Sequence, residues 1–274
     1  MTHTDILKDR LPESTTNEEA IPFPDSDYGK AINNRAIFGI QAILPYAIEE
    51  AVNRLRINVS FLGSDVKKIM VVSSEPNEGK SFVAMHLWRQ MAIAGERSIL
   101  VDCDMRKSNM MDTYAISRQD GREVWGLTHY LSDNKKLEDV ILSTDIEGGD
   151  IIPNSNNIVN PSILLESDRF SKLLDILTER YRYVFLDVPP LGLVSDAERI
   201  GNLCDGALLT VRSAATPKAI VRNSVAQLER SGCPLLGIVL NRVGDSKRGY
   251  YGNKYYGGKY YYGKYYNNEY YRQS

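Results

Sequence analysis

The stretch KKIMVVSSEPNEGKS, residues 67–81, constrains the fold more than any other part of this chain. A short apolar, β-branched run, KKIMVVSS (67–74), meets a turn at Pro76-Asn77. SFVAMHLWRQMAIAG then has the pattern of a helix stopped at Gly95. Ser74-Glu75-Pro76-Asn77-Glu78-Gly79-Lys80-Ser81 fits the phosphate-binding loop pattern, with Ser74 where the first glycine usually stands. In such a loop, backbone N–H groups and the helix N-terminus cradle phosphates, the lysine neutralises the β and γ groups, and the hydroxyl binds Mg²⁺. The alternative, a chance match on a surface turn, gives no reason for a strand before it and a helix after it. The candidate nucleotide-binding residues here are Ser74, Pro76, Asn77, Glu78, Gly79, Lys80, Ser81 and Phe82. Serine meets the need for a small side chain at 74, and Asn77 falls where a positive φ is expected, which asparagine tolerates.

Further apolar runs follow: SILVDCD (98–104), YRYVFLDVPP (181–190), GALLTVR (206–212) and LLGIVLNRV (235–243). Helical patterns at 46–62, 162–180, 195–203 and 216–231 separate or precede them. Continuously apolar strands alternating with helices predict an α/β P-loop NTPase fold, a mostly parallel sheet flanked by helices on both faces. Such sheets bind ligands at the carboxyl ends of their strands. The chain of 274 residues, 43% hydrophobic and 25% charged, suits one domain with extensions. The expected organisation is a flexible lead (1–45), the P-loop domain (46–245) and a disordered tyrosine-cluster tail (246–274).

Polar chemistry gathers at the strand ends. Asp102 and Asp104, spaced i, i+2, end one strand, and Asp187 ends another. Each alone is as easily a helix N-cap, but three together with Lys80 and Ser81 form the minimum kit for Mg-nucleotide chemistry. Cys103, Cys204 and Cys233 show no paired spacing, which suits a reducing cytosol and argues against a cysteine metal site. A net charge of −2 gives no argument for a nucleic-acid partner. No stretch approaches the roughly 18 apolar residues that span a bilayer, and the polar, acidic start is unlike a signal peptide. The expected location is therefore cytoplasmic.

The set SSEPNEGKS, ILVDCDMR and VFLDVPP resembles the Walker A, A′ and Walker B motifs of the bacterial tyrosine kinases, the BY-kinases. These are P-loop ATPases related to the partitioning and division-site ATPases. The resemblance spans about residues 46–243 and includes GLTHYLSDNKKLEDVI, IPNSNNIVNPSILLESDRFSKLL, SDA and LLGIVLN. It implies transfer of the ATP γ-phosphoryl group to tyrosine, with ATP and Mg²⁺ as cofactors. It implies catalytic roles for Lys80, Asp102, Asp104, Asp187 and Arg106, with Asp102 as the base. Ser81, Asp102, Asp104 and Asp187 become the metal-site residues, and Asn241 and Arg242 stand where related ATPases contact adenine. The family's E-x-x-R-x-x-R contact motif is met by Glu50 and Arg56, while Asn53 takes the middle place beside Arg54. Ring-like self-association through Glu50, Arg54 and Arg56 follows from that motif.

The tail belongs to the same resemblance. Of 17 tyrosines, eleven lie between residues 249 and 271: Tyr250, Tyr251, Tyr255, Tyr256, Tyr260, Tyr261, Tyr262, Tyr265, Tyr266, Tyr270 and Tyr271. Gly, Asn and Lys spacing opposes folding and keeps each phenol reachable. Six cations against Glu269 give residues 246–274 a side-chain charge of +5. The implied activity is autophosphorylation of this cluster, in trans within an oligomer, to regulate capsular or exopolysaccharide synthesis and export. The implied partners are a membrane-embedded polysaccharide co-polymerase, which activates the kinase and recruits it to the inner face of the membrane, and a cognate tyrosine phosphatase. Two other readings stay open at this point. A partitioning or division-site ATPase switch is one, although such proteins usually carry an extra lysine where Ser73-Ser74-Glu75 stand. The other is a module whose Gly/Tyr/Asn tail self-associates or stacks on RNA bases.

Overall fold

The computed structural model describes residues 34–39, 44–155, 158, 161–193 and 195–244. The chain runs β1 (Ala36–Phe38), α1 (Tyr46–Ser60), β2 (Lys68–Ser73), α2 (Lys80–Ile93), β3 (Ser98–Asp102), α3 (Met110–Tyr114) and β4 (Ile116–Arg118). It continues through α4 (Leu127–Leu131), α5 (Leu137–Val140), β5 (Leu142–Ser143), β6 (Gly149–Ile152), α6 (Ser162–Leu165) and α7 (Asp168–Arg180). β7 (Tyr183–Asp187), α8 (Asp196–Gly201), β8 (Gly206–Arg212), α9 (Lys218–Arg230) and β9 (Leu235–Asn241) complete it.

The main sheet has the order β5-β6-β3-β7-β2-β8-β9. Its neighbours pair in parallel except β5 with β6. Strand alternation divides the apolar residues between two faces. Ile69, Val71, Leu100 and Phe185 lie against Val83, Leu87, Trp88 and Met91 of α2. Met70, Val72, Ile99, Val101, Val184 and Leu186 share the opposite cluster with Phe170, Leu173, Leu174 and Leu177 of α7. Burial on both sides is why these strands read as unbroken apolar runs. The sheet order places β2 inside the sheet between β7, the central strand, and β8, so the loop after β2 opens at the carboxyl edge where ligands enter such sheets.

Several elements differ from the sequence expectation. The helix expected over 162–180 is two helices. Ser167 takes an extended conformation (φ −72°, ψ 144°) as the N-cap of α7, and its hydroxyl donates to the Leu164 carbonyl at 2.6 Å. β3 and β7 stop at Asp102 and Asp187, so Asp104 lies beyond its strand. β4, β5 and β6 were unmarked because two to four residues are too few to show a period. Within the stretch assigned to the lead, Ala36–Phe38 pairs antiparallel with Ile116–Arg118. The tail tyrosines lie outside the described residues.

His86 sits inside the cluster under α2, its ring 4.3 Å from that of Phe82 and 6.3 Å from that of Tyr114. Its Nε2 is buried without a hydrogen-bond partner. Burial, then the nearby Arg89, lowers its pKa to about 4. An unfolded histidine titrates near 6.5, so the stability linked to neutral His86 is full above that pH and is lost as pH falls through about 4. Urea unfolding of wild type should therefore weaken between pH 7 and 4 more than that of His86→Phe. The difference in slope should be at most one proton, about 1.4 kcal/mol per pH unit. Equal slopes would refute the assignment.

Candidate active site

The site grows from the end of β2. Ser73 and Ser74 are the last buried residues before the loop, and their carbonyls accept N–H bonds from Leu191 (2.9 Å) and Gly192 (3.1 Å) in the segment after β7. A side chain at 192 would meet the Ser74 carbonyl at 2.9 Å, so glycine permits this close approach. Glu75, Pro76 and Asn77 are exposed, and Asn77 occupies the left-handed region at φ 62°. Gly79, at φ 93°, is the N-cap of α2 and supplies no side chain to the helix end. The first N–H groups of a 14-residue helix are thus left for a ligand, and they favour an anion.

Lys80 opens that helix and turns into the strand tips. Its ammonium donates to Asp104 Oδ2 at 3.1 Å, Asp187 Oδ1 at 3.4 Å and Ser81 Oγ at 3.3 Å. Asp102 is fully buried. It accepts from the Asp104 N–H at 3.2 Å and from the Ser108 hydroxyl. The Cys103 N–H donates to the Asp187 carbonyl at 2.9 Å, locking the two strand tips together. Burial opposes the charge on Lys80, but Asp187 and Asp104 outweigh it and hold the ammonium above its ordinary pKa. Burial drives Asp102 and Asp187 above the usual carboxylate range, with like charge adding to it and Lys80 opposing it.

The other expected residues divide. Arg106 makes a two-pronged ion pair with Asp196 on α8 (Nε to Oδ2, 2.6 Å; Nη2 to Oδ1, 3.2 Å), and Ser162 completes the group by donating to Asp196 at 2.8 Å. Asn241 reaches the phosphate loop, its Nδ2 donating to the Glu78 carbonyl at 2.9 Å, while Arg242 is exposed with φ 56°. Phe82 packs on His86. On α1, Glu50 pairs with Arg54 at 3.4 Å, and Arg56 donates to Asn53 at 3.0 Å. Sequence reasoning assigned no role to Ser108, Asp196 or Thr216. Asp196 lay in the quoted SDA stretch, and the other two had no spacing signal.

The donors suit Mg²⁺, which takes a hydroxyl, one or two carboxylates, waters and phosphate oxygens rather than a full protein cage. Ser81, Asp104 and Asp187 offer only hard oxygens, and the Lys80 ammonium already rests among them. Among the described residues no group of three or more His, Cys, Asp or Glu is assembled for a metal.

Carboxylates at parallel strand tips facing a phosphate-loop lysine define an ATP-binding P-loop protein. A family model described as an AAA domain matches residues 66–200. Tyrosine-protein kinase CpsD of Streptococcus agalactiae is 35% identical over 202 residues, 74% of this chain and 85% of that protein. The kinase domain of the Escherichia coli tyrosine kinase ETK aligns with a TM-score of 0.66 at 28% identity, over 74% of this chain and 79% of that one. The septum site-determining protein MinD of Pyrococcus horikoshii, solved with Mg-ADP, shares the fold at 23% identity and a TM-score of 0.55, covering 66% and 72%. The chain belongs to the bacterial tyrosine kinase family, and it is a protein-tyrosine kinase.

A Cβ at Gly79 would lie 2.0 Å from Asn241 Nδ2, and φ 93° is strained for any other residue. Gly79→Ala should weaken binding of a fluorescent ATP analogue by at least about tenfold, equivalent to about 1.4 kcal/mol. Unchanged binding would remove Gly79 and Asn241 from the nucleotide site.

Proposed function

We propose that this kinase phosphorylates its own C-terminal tyrosine cluster, in trans within an oligomer, and so regulates capsular or exopolysaccharide synthesis and export. The observation that carries this reading is the Lys80 ammonium between Asp104 and Asp187, beside buried Asp102, at the mouth of a bare helix N-terminus. Mg²⁺ bound with ATP would supply neutralisation of phosphate charge. Ser81, Asp104 and Asp187 would hold it, with Asp102 close behind. Lys80, now paired with Asp104 and Asp187, would bind the phosphoryl group to be transferred.

A tyrosine hydroxyl has a pKa near 10 and needs a base to react at neutral pH. Asp102 is the base in this reading, because burial raises its proton affinity towards what the task requires. Arg106 is fixed by Asp196 at the rim of the site, where it orients the incoming segment. Asn241 and Arg242 take the adenine side.

Residues 246–274 supply the substrate and start with a side-chain charge of +5. Each phosphotyrosine adds about −1.5 to −2, so eleven would add roughly −16 to −22. A tail so charged leaves its neighbour's site, which loosens the oligomer formed through Glu50, Arg54 and Arg56. Among the described residues no helix is long and apolar enough to cross a membrane. Recruitment from the cytoplasm to the membrane by a co-polymerase partner, and resetting by a tyrosine phosphatase, complete the cycle in this reading.

Mass spectrometry of purified protein incubated with ATP and Mg²⁺ should find phosphotyrosine in residues 249–271 of wild type. In Lys80→Met the rate should fall on the order of 10²–10³. In Asp102→Asn it should fall about 10²–10⁴. Equal modification of wild type and Lys80→Met would end the autokinase reading. Hydrolysis of ATP without phosphotyrosine, even with the activator's cytoplasmic segment added, would favour the ATPase switch.

A further inference from the structure

Glu78 is an acidic residue inside a loop built to hold phosphates. A carboxylate there would repel a nucleotide if it faced the cradle. It does not: the residue is 2% exposed, and its carboxylate is consumed by three neutral donors, one in the loop itself and two in the segment 212–217. Oε2 accepts the Glu75 N–H at 2.8 Å, across the start of the loop. Oε1 accepts the Arg212 N–H at 3.2 Å, at the end of β8, and the hydroxyl of Thr216, just before α9. Its backbone carbonyl accepts from Asn241 Nδ2 at 2.9 Å, at the end of β9. One residue thus joins the phosphate loop to the segment 212–217 and to the tip of β9.

We infer that Glu78 is a positioning residue, a latch that holds the phosphate loop, the segment 212–217 and the tip of β9 as one preformed ATP receptor. This rests on the nucleotide site proposed above. A buried carboxylate is costly unless its lone pairs are satisfied, so the bonds that neutralise that cost also set the loop's shape. Removing a donor lets the loop sample conformations that do not bind, and apparent affinity falls by the fraction lost. The loop's N–H groups contact phosphate oxygens alike before and during transfer. Losing the latch therefore raises the ATP requirement and leaves the rate at saturation nearly unchanged.

Thr216 tests this from outside the phosphate loop. Thr216→Val removes one hydroxyl donor and keeps the shape. Glu78→Gln keeps acceptors for Arg212 and Thr216, but its amide cannot accept from the Glu75 N–H. Titration with a fluorescent ATP analogue and Mg²⁺ should show Kd raised about tenfold in each. Phosphotyrosine formation at saturating ATP should stay within about twofold of wild type in Thr216→Val, which lies outside the phosphate loop. The double variant should lose less than the product of the two singles, because both act on one latch. Wild-type affinity in both single variants would overturn the inference. So would a fall in saturated rate at unchanged Kd, or a lower Tm at unchanged Kd, which would make Glu78 a stability residue only. Failure of wild type itself to bind the analogue would strike the nucleotide site, a separate result from failure of the latch.

Discussion

One ammonium among three buried carboxylates is the interaction on which this structure depends. Asp102, Asp104 and Asp187 are nearly without solvent, and carboxylates so placed are stable only with a cation or hydrogen-bond donors at hand. Lys80 supplies the charge, while Ser108 and the Asp104 N–H supply the bonds to Asp102. The parallel pairing of β3 with β7, in register from Ser98↔Tyr183 to Asp102↔Asp187, brings the acids to one level. The pairing of β2 with β7 then sets the lysine's helix above them. Two apolar faces, one under α2 and one under α7, keep those strands from sliding. In this sense the core acts as a frame that fixes the spacing of four ionisable groups.

The parts legible in the sequence were those written in long runs or fixed spacings. β2, β3, β7 and β8 are buried on both faces, so each showed as an apolar run with an end near the observed one, and the partly exposed edge strand β9 showed as an apolar run too. GALLTVR matched β8 residue for residue. Lys80 and the aspartates at strand ends were visible because a backbone motif and a strand period specify where they fall. β6 escaped because four residues beside glycine carry no period. The break at Ser167 escaped because the heptad-like spacing of apolar residues runs straight through it.

What could not be read was anything decided by distance across the fold. Asp196 is 90 residues from Arg106, and Thr216 is 138 from Glu78. Position 78 is unrestricted in the phosphate-loop pattern, so the sequence marks its backbone and says nothing of its side chain. Asp104 needed the same correction: it lies past the strand end, and a backbone bond to Asp102 turns it back.

Asn241 both touches the phosphate loop and ends the edge strand β9, from which the chain runs on to Gly244. Whatever follows residue 244 is therefore leashed at the rim of a nucleotide site. Covalent linkage raises the effective concentration of what it carries for any site it can span. For the proposed reaction, tyrosines presented this way need no dedicated side-chain pocket. Reach and crowding, rather than the residues flanking each phenol, then decide the order of their use.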